Sequence, residues 1–118
     1  MGKLDFDRLL EQIKSQTIEF TIKPIQDEMV IHKHTASIFI VTGFERMLRS
    51  AGIATVIFTG IATECGIESS ARDAFGRGFY SVVASDCVSS PNKERYERSI
   101  ENMKSLLTVI ESKEILKF

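Results

Sequence analysis

The sequence predicts an α/β fold, a mostly parallel sheet covered by helices on both faces. Two observations carry this expectation. Apolar runs of strand length alternate with amphipathic stretches of helix length, which is the pattern of βαβ units with right-handed crossovers. The run over residues 53–59, set between Gly52 and Gly60, is nearly unbroken in apolar character. That is the pattern of a central strand buried on both faces of a parallel sheet.

Each element has its own justification. Phe6, Leu9, Leu10 and Ile13 recur at helical spacing among charged residues, so residues 5–15 read as an amphipathic helix. Ile18, Phe20 and Ile22 alternate with polar residues before Pro24, and Met29, Val30 and Ile31 form a short apolar run within residues 28–32. These read as two strands, or as one strand and an extended lead-in. Phe44, Met47, Leu48 and Ala51 mark a helix closed by Gly52, whose missing side chain suits the left-handed position after a helix end. Beyond the central strand, Thr63 is placed to cap a helix running to about Phe75, with Glu64 in its first turn and Ile67, Ala71, Ala74 and Phe75 on one face. Residues 79–85 read as the next strand. Asn92 opens a long helix along which Tyr96, Ile100, Met103, Leu107 and Ile110 trace one stripe, and residues 114–118 read as a last short strand.

Composition narrows the function classes. The 118 residues are 43% hydrophobic and 26% charged, enough for one core and one domain over residues 1–118 but not for two. Fifteen Lys plus Arg against sixteen Asp plus Glu give a net charge of -1 with no basic block, which argues against a nucleic-acid partner. The apolar runs fall far short of the roughly 20 residues of a spanning helix. Residues 1–15 also mix charges where a signal peptide would be apolar, so no membrane partner and a cytoplasmic location are expected. Cys65 and Cys87 are too few for a disulfide framework and have no zinc-spaced neighbours, so no metal or other cofactor is expected.

Ligands on open parallel sheets gather beyond the carboxyl ends of the strands, which directs attention to Lys33, to residues 60–66 and to Asp86. The turn from Gly60 to Gly66 passes from strand into helix, so backbone amides near Cys65 and Gly66 would face the crevice as an anion or oxyanion site. Cys65, in the first helical turn, reads either as a thiol activated by the helix dipole or as a small core filler. Lys33, between His32 and His34, reads either as a group that binds or polarises a carboxylate or carbonyl, or as a solvated surface lysine beside exposed histidines. Asp86 is expected to accept backbone amides from the turn that follows it rather than to act as an acid. Arg72 and Asp73 are expected to pair on the surface or in helix packing.

At this point two ordered motifs carry a resemblance. The stretch Gly60-Ile-Ala-Thr-Glu-Cys-Gly-Ile-Glu-Ser-Ser-Ala-Arg-Asp-Ala-Phe-Gly-Arg-Gly-Phe-Tyr, followed by Val82-Val-Ala-Ser-Asp86, resembles the signature of isochorismatase-like cysteine hydrolases, the group of isochorismatases, nicotinamidases and N-carbamoylsarcosine amidohydrolase. Lys33-His-Thr-Ala-Ser-Ile-Phe39 resembles that family's lysine motif at the expected distance upstream. The resemblance covers about residues 24–118. It implies a three-layer α/β/α fold, Rossmann-like, acting on small amides or vinyl ethers. In amidase members an Asp, Lys and Cys triad works on the amide, and a cis peptide with neighbouring amides holds the oxyanion. By the motif, Lys33 takes the lysine place and the Ile61–Ala62 bond the cis-peptide place, with Ile61, Ala62, Cys65 and Gly66 around the substrate.

The chain departs from the family pattern twice. The family's cysteine stands six positions after the first glycine, which here is Gly66, so Cys65 is displaced by one; a rotation of about 100° per helical residue turns it away from the site. A glycine there is similar to isochorismatase-type members, which act without a covalent cysteine. In addition, no segment matches the family's first strand and the catalytic Asp that closes it, so the chain resembles an N-terminally truncated member. The missing strand would leave an edge of residues 53–59 unpaired, to be covered by residues 17–22 or by a second copy in a homo-oligomer. The implied function is a hydrolase acting on a small amide or vinyl ether without a covalent cysteine. The alternatives are a catalytically inactive, oligomeric binding or structural relative and, more remotely, a thiol or redox role for Cys65.

Overall fold

The computed structural model describes residues 23–117. Two compact units divide the chain, Met1–Val30 and Ile31–Phe118. The helix read for residues 5–15 and the strand read for residues 17–22 lie outside the described residues. In the first unit, residues 23–30 are exposed and contain a turn in which the Ile25 N–H donates to the Glu28 carboxylate at 2.9 Å and the Glu28 N–H to the Ile25 carbonyl at 3.2 Å. Of the two readings of residues 28–32, a strand or an extended lead-in, the strand does not form. These residues pair with no described strand, and Met29 and Val30 stay exposed.

The second unit begins its regular structure at α1, Phe44–Ser50. Its end is set by the chain's hydrogen bonds: Gly52 takes φ 69°, its N–H donates to the Arg49 carbonyl at 3.1 Å, and the Ile53 N–H reaches back to the Leu48 carbonyl at 2.9 Å. This is the two-bond closure that glycine after a helix makes possible. Three parallel strands follow, β1 (Thr55–Ile61), β2 (Tyr80–Ser89) and β3 (Thr108–Ile110), in the order β1-β2-β3. Between them lie a π-helical turn, Thr63–Ile67, continued directly by α2 (Glu68–Gly76), and then α3 (Lys93–Lys104); α4 (Ser112–Ile115) follows β3. Asn92 caps α3, its side-chain oxygen accepting the Arg95 N–H at 2.9 Å.

Several expectations are corrected here. Among the described residues β1 is an edge strand and β2 the central one. The apolar run that suggested burial on both faces divides by the period of two: Phe58 is buried and Val56 half-buried, whereas Ile57 is 48% exposed. Thr63 does not cap the following helix; Ala62 occupies the capping position and Thr63 begins the first turn. β2 runs on to Ser89, beyond the residue 85 expected, because it bulges. Phe58 pairs with Val83 and Gly60 with Val88, so one residue of β1 faces four of β2. The last strand is Thr108–Ile110, and of the residues 114–118 expected to form it, 114–117 lie in α4 and a turn. Leu107 and Ile110 continue the apolar spacing of α3 past its end, which is why a periodicity reading prolongs that helix. Arg72 pairs with Glu68 at 3.7 Å, one turn back on α2, rather than with its neighbour Asp73.

The core lies on one face of the sheet, where Phe39, Leu48, Phe58, Val83, Ile100 and Met103 form one cluster. On the other face, alternate residues of the strands (Ile57, Val82 and Ile110) line a recess of about 550 Å³ that is bordered by Ile115 of α4. The β2 bulge carries Asp86, whose carboxylate accepts the Ser112 N–H at 2.7 Å and the Ser112 hydroxyl at 2.6 Å. Asp86 thus does accept a backbone amide, but from the start of α4 and not from the turn after β2. Among the described residues no helix is long and apolar enough to cross a membrane.

Two predictions follow from this packing. Met103 is fully buried, so Met103→Ala is expected to cost about 2–5 kcal/mol in urea unfolding through lost burial and the cavity left behind. The Ser112 hydroxyl and then its N–H hold the Asp86 carboxyl below the ordinary value of 3.8. A depressed folded value means that the stabilisation is present above the unfolded value and is lost as pH falls through the folded one. Asp86→Asn should therefore melt below the wild type at pH 7, with the two curves converging in acid; a gap that persists unchanged in acid would contradict the assignment.

Candidate active site

The site is assembled at the carboxyl end of β1 from a loop and a turn that are distant in sequence. The loop carries Lys33 and is anchored just beyond it. Phe39 is buried in the core, and the Ile38 N–H donates to Oγ of Ser70, a buried serine on α2, at 3.0 Å. Within the loop the Thr35 hydroxyl donates to the Ser37 carbonyl at 2.7 Å. Lys33 curls over this frame, its ammonium donating to the carbonyls of Thr35 at 2.8 Å and Ala36 at 3.0 Å. Those two bonds hold the charged end in place although the residue is exposed. His32 and His34 on either side are exposed as well.

The turn leaves β1 through the Ile61–Ala62 peptide, which is cis. The Ala62 carbonyl then accepts two amide protons, from Cys65 at 3.1 Å and from Ile67 at 3.3 Å. The second of these is the i to i+5 bond that winds the first turn as a π-helix, a local geometry frequent at functional sites. The winding decides which side chain faces Lys33. Cys65 is exposed, its backbone N–H already committed to Ala62, while a Cβ built on Gly66 would lie 3.6 Å from Lys33 Nζ and 3.5 Å from the Ala36 carbonyl oxygen. The structure therefore brings Lys33 and Gly66 together.

The remaining polar groups define what this corner can do. Glu64, in the first turn, has its carboxyl held below the ordinary range first by its own backbone N–H, then by the Ser90 hydroxyl, with the charge of Arg95 adding to both. Its Oε2 is buried without a hydrogen-bond partner, as is the hydroxyl of the fully buried Thr63. No carboxylate among the described residues pairs with Lys33. No group of three or more His, Cys, Asp or Glu among them is arranged to hold a metal ion. The corner thus offers a fixed ammonium beside a turn without a side chain at its closest point, suited to a small carboxylate or carbonyl group. Sequence reasoning missed Ser70 and Ser99, which support this corner. Their signal was available: each is a serine inside an apolar stripe, Ser70 between Ile67 and Ala74, Ser99 between Tyr96 and Met103.

Comparison with known proteins agrees with this architecture. An isochorismatase-like hydrolase from Alkaliphilus metalliredigens superposes with a TM-score of 0.79 at 26% sequence identity, over 81% of this chain and 54% of that one. The fold is thus the three-layer α/β/α class of isochorismatase-like hydrolases. The Isochorismatase domain family matches residues 8–114, and the chain belongs to that family. The match begins well before Pro24, where the motif resemblance began. The isochorismatase family protein YecD of Escherichia coli O157:H7 is 37% identical over 76 residues, 64% of this chain and 40% of that protein. The ureidoacrylate amidohydrolase RutB of Pseudomonas savastanoi pv. phaseolicola is 40% identical over 67 residues, 57% of this chain and 27% of that protein. The chain thus spans less than half the length of these curated relatives.

A cysteine at position 66 reads the site's electrostatics directly. With Cys65 and Cys87 replaced by serine, the Gly66→Cys thiol should be alkylated by iodoacetamide at pH 7 about tenfold faster than the same thiol in a Lys33→Met background, because an adjacent ammonium favours the thiolate. Equal rates in the two backgrounds would show that the ammonium does not reach that position.

Proposed function

We propose that this chain is a hydrolase of the isochorismatase family acting on a small amide or vinyl-ether substrate without a covalent cysteine. The observation that carries the reading is Gly66, set 3.6 Å (from its ideal Cβ position) from the Lys33 ammonium, where a thiol nucleophile would otherwise stand. Water is then the nucleophile. On an amide it adds to the carbonyl carbon, the C–N bond breaks and its proton leaves with the amine. On a vinyl ether a solvent proton adds to the vinyl carbon, water adds to the ether carbon and the C–O bond to the departing alcohol breaks. Lys33 binds or polarises the substrate's carboxylate or carbonyl, and the turn from Ile61 to Gly66 forms the floor against which the substrate rests. Amide substrates are favoured by the likeness to the ureidoacrylate amidohydrolase.

The test is turnover by the purified protein across a panel of small amides and vinyl ethers. Lys33→Ala is expected to lower kcat/KM by about 100-fold, the scale of losing one electrostatic stabiliser. Prior treatment with iodoacetamide is expected to leave the rate unchanged. Absence of turnover by the wild type on the whole panel would overturn the reading.

One set of observations favours a second reading, a catalytically inactive relative that works as a homo-oligomer. Lys33 has no carboxylate partner among the described residues and directs two hydrogen bonds into its own loop. The outer edge of β1 has no described partner strand, and an apolar recess lies open on the sheet face beside it. A second copy would cover both. Sedimentation distinguishes the readings: a monodisperse monomer at micromolar concentration counts against the oligomer.

A further inference from the structure

We propose that Ser99 is a positioning residue which, from the middle of α3, holds the π-helical turn in the register that sets Gly66 against Lys33. The inference rests on the site described above and extends it, since Ser99 touches neither of those residues.

Ser99 is 3% exposed and lies on the apolar stripe of α3, where a hydrophobic residue would be expected. Its hydroxyl faces two acceptors, the Thr63 carbonyl at 3.3 Å and Glu68 Oε1 at 2.7 Å. Thr63 is the first residue of the π turn, and Glu68 is the residue directly after it. The single hydroxyl proton goes to Glu68 Oε1 at the shorter distance, with the Thr63 carbonyl as a weaker second acceptor, so one buried hydroxyl lies against both ends of the turn. The other Glu68 oxygen faces the Arg72 guanidinium at 3.7 Å, one turn on along α2.

The link controls the turn because the Ala62 carbonyl accepts both the Cys65 and the Ile67 N–H, and only the Ile67 bond imposes π winding. Ordinary α winding of the same residues would turn Gly66 about the helix axis, away from Lys33. Beside Ser99 lies a polar cleft of about 180 Å³ lined by Glu64, Glu68, Arg95, Arg98 and Asn102. A methyl group at position 99 would remove the hydroxyl that reaches the Thr63 carbonyl and Glu68, leaving the Ile67 N–H bond to the Ala62 carbonyl to hold the π spacing alone.

Two measurements test this. In Ser99→Ala, hydrogen exchange of the Cys65 and Ile67 amides should accelerate at least tenfold more than that of Val83 in the central strand; equal acceleration of all three overturns the proposal. In the protein with Gly66→Cys, Cys65→Ser and Cys87→Ser, adding Ser99→Ala should slow thiol alkylation at pH 7 about tenfold, and Ser99→Thr, which keeps the hydroxyl, should restore it. A serine that served stability alone would lower the Tm of Ser99→Ala and leave the alkylation rate of the folded protein unchanged, which also overturns the proposal. If Ser99→Ala does not fold, Ser99→Thr against Ser99→Val makes the same comparison at matched shape. A Gly66→Cys thiol that ignores Lys33 would sink the site reading, while the exchange experiment still decides the role of Ser99.

Discussion

The carbonyl of Ala62 is the constraint on which the site depends. A backbone oxygen has two lone pairs, and here both are used, by the N–H groups of Cys65 and Ile67. The bond to Ile67 lengthens the first turn by a residue and so fixes the order in which side chains face outward and inward. Cys65 is carried to the exposed side and Gly66 to the side of the Lys33 loop. Were the same residues wound as an ordinary helix from the start, the ammonium would meet a different position. The approach of the two segments is secured from the other direction by Phe39 in the core and by Ser70, which bonds the Ile38 N–H.

Polar groups divide between the two ends of the sheet according to what they do. At the amino end of β2, Glu45 takes Arg77 at 2.6 Å and Arg49 at 2.9 Å, Arg49 donates to the Arg77 carbonyl at 2.8 Å, and the two guanidinium groups lie over Phe79 and Phe39. Arg49 foremost, aided by Arg77, holds the Glu45 carboxyl below its ordinary range. Each charge in that cluster faces an opposite one, although Arg77 Nε is buried without a hydrogen-bond partner, and the effect is to fasten α1 to the turn before β2. At the carboxyl end the pattern changes: Lys33 has only carbonyl partners, and Glu64 keeps one buried oxygen unpaired. Lys33 and Glu64 thus lie at the end of the sheet beyond which ligands gather in parallel folds.

Much of this was legible in the sequence. The helix ending at Gly52, the capping role of Asn92, the parallel sheet and the pairing of Lys33 with the Gly60 to Gly66 turn all follow from local signals: glycine after an apolar stripe, a short polar side chain before one, and two ordered motifs. What escaped depends on contacts between distant segments. The one-sided burial of β1 is invisible to a run of apolar residues, because the run does not say which face is covered, whereas its unpaired edge is expected from the missing first strand. The bulge of β2 arises from its register with β1, and the place of β3 from how soon α3 closes after Met103, where the Leu107 N–H returns to the Met103 carbonyl at 2.7 Å. The π winding was likewise hidden, since its cause is a carbonyl and a serine on another helix.

The glycine at position 66 can be interpreted by comparison with the other glycines. Gly52, Gly60 and Gly78 adopt φ of 69°, 115° and 89°, a region that L side chains rarely enter, so at those positions glycine is required by the backbone. Gly66 is different. It has no such φ, and a Cβ there would meet its neighbours at 3.5 and 3.6 Å, which is ordinary contact. Neither conformation nor space forbids a side chain at this point. The consequence of glycine here is therefore chemical: the position whose Cβ would lie 3.6 Å from the Lys33 ammonium carries no side-chain nucleophile.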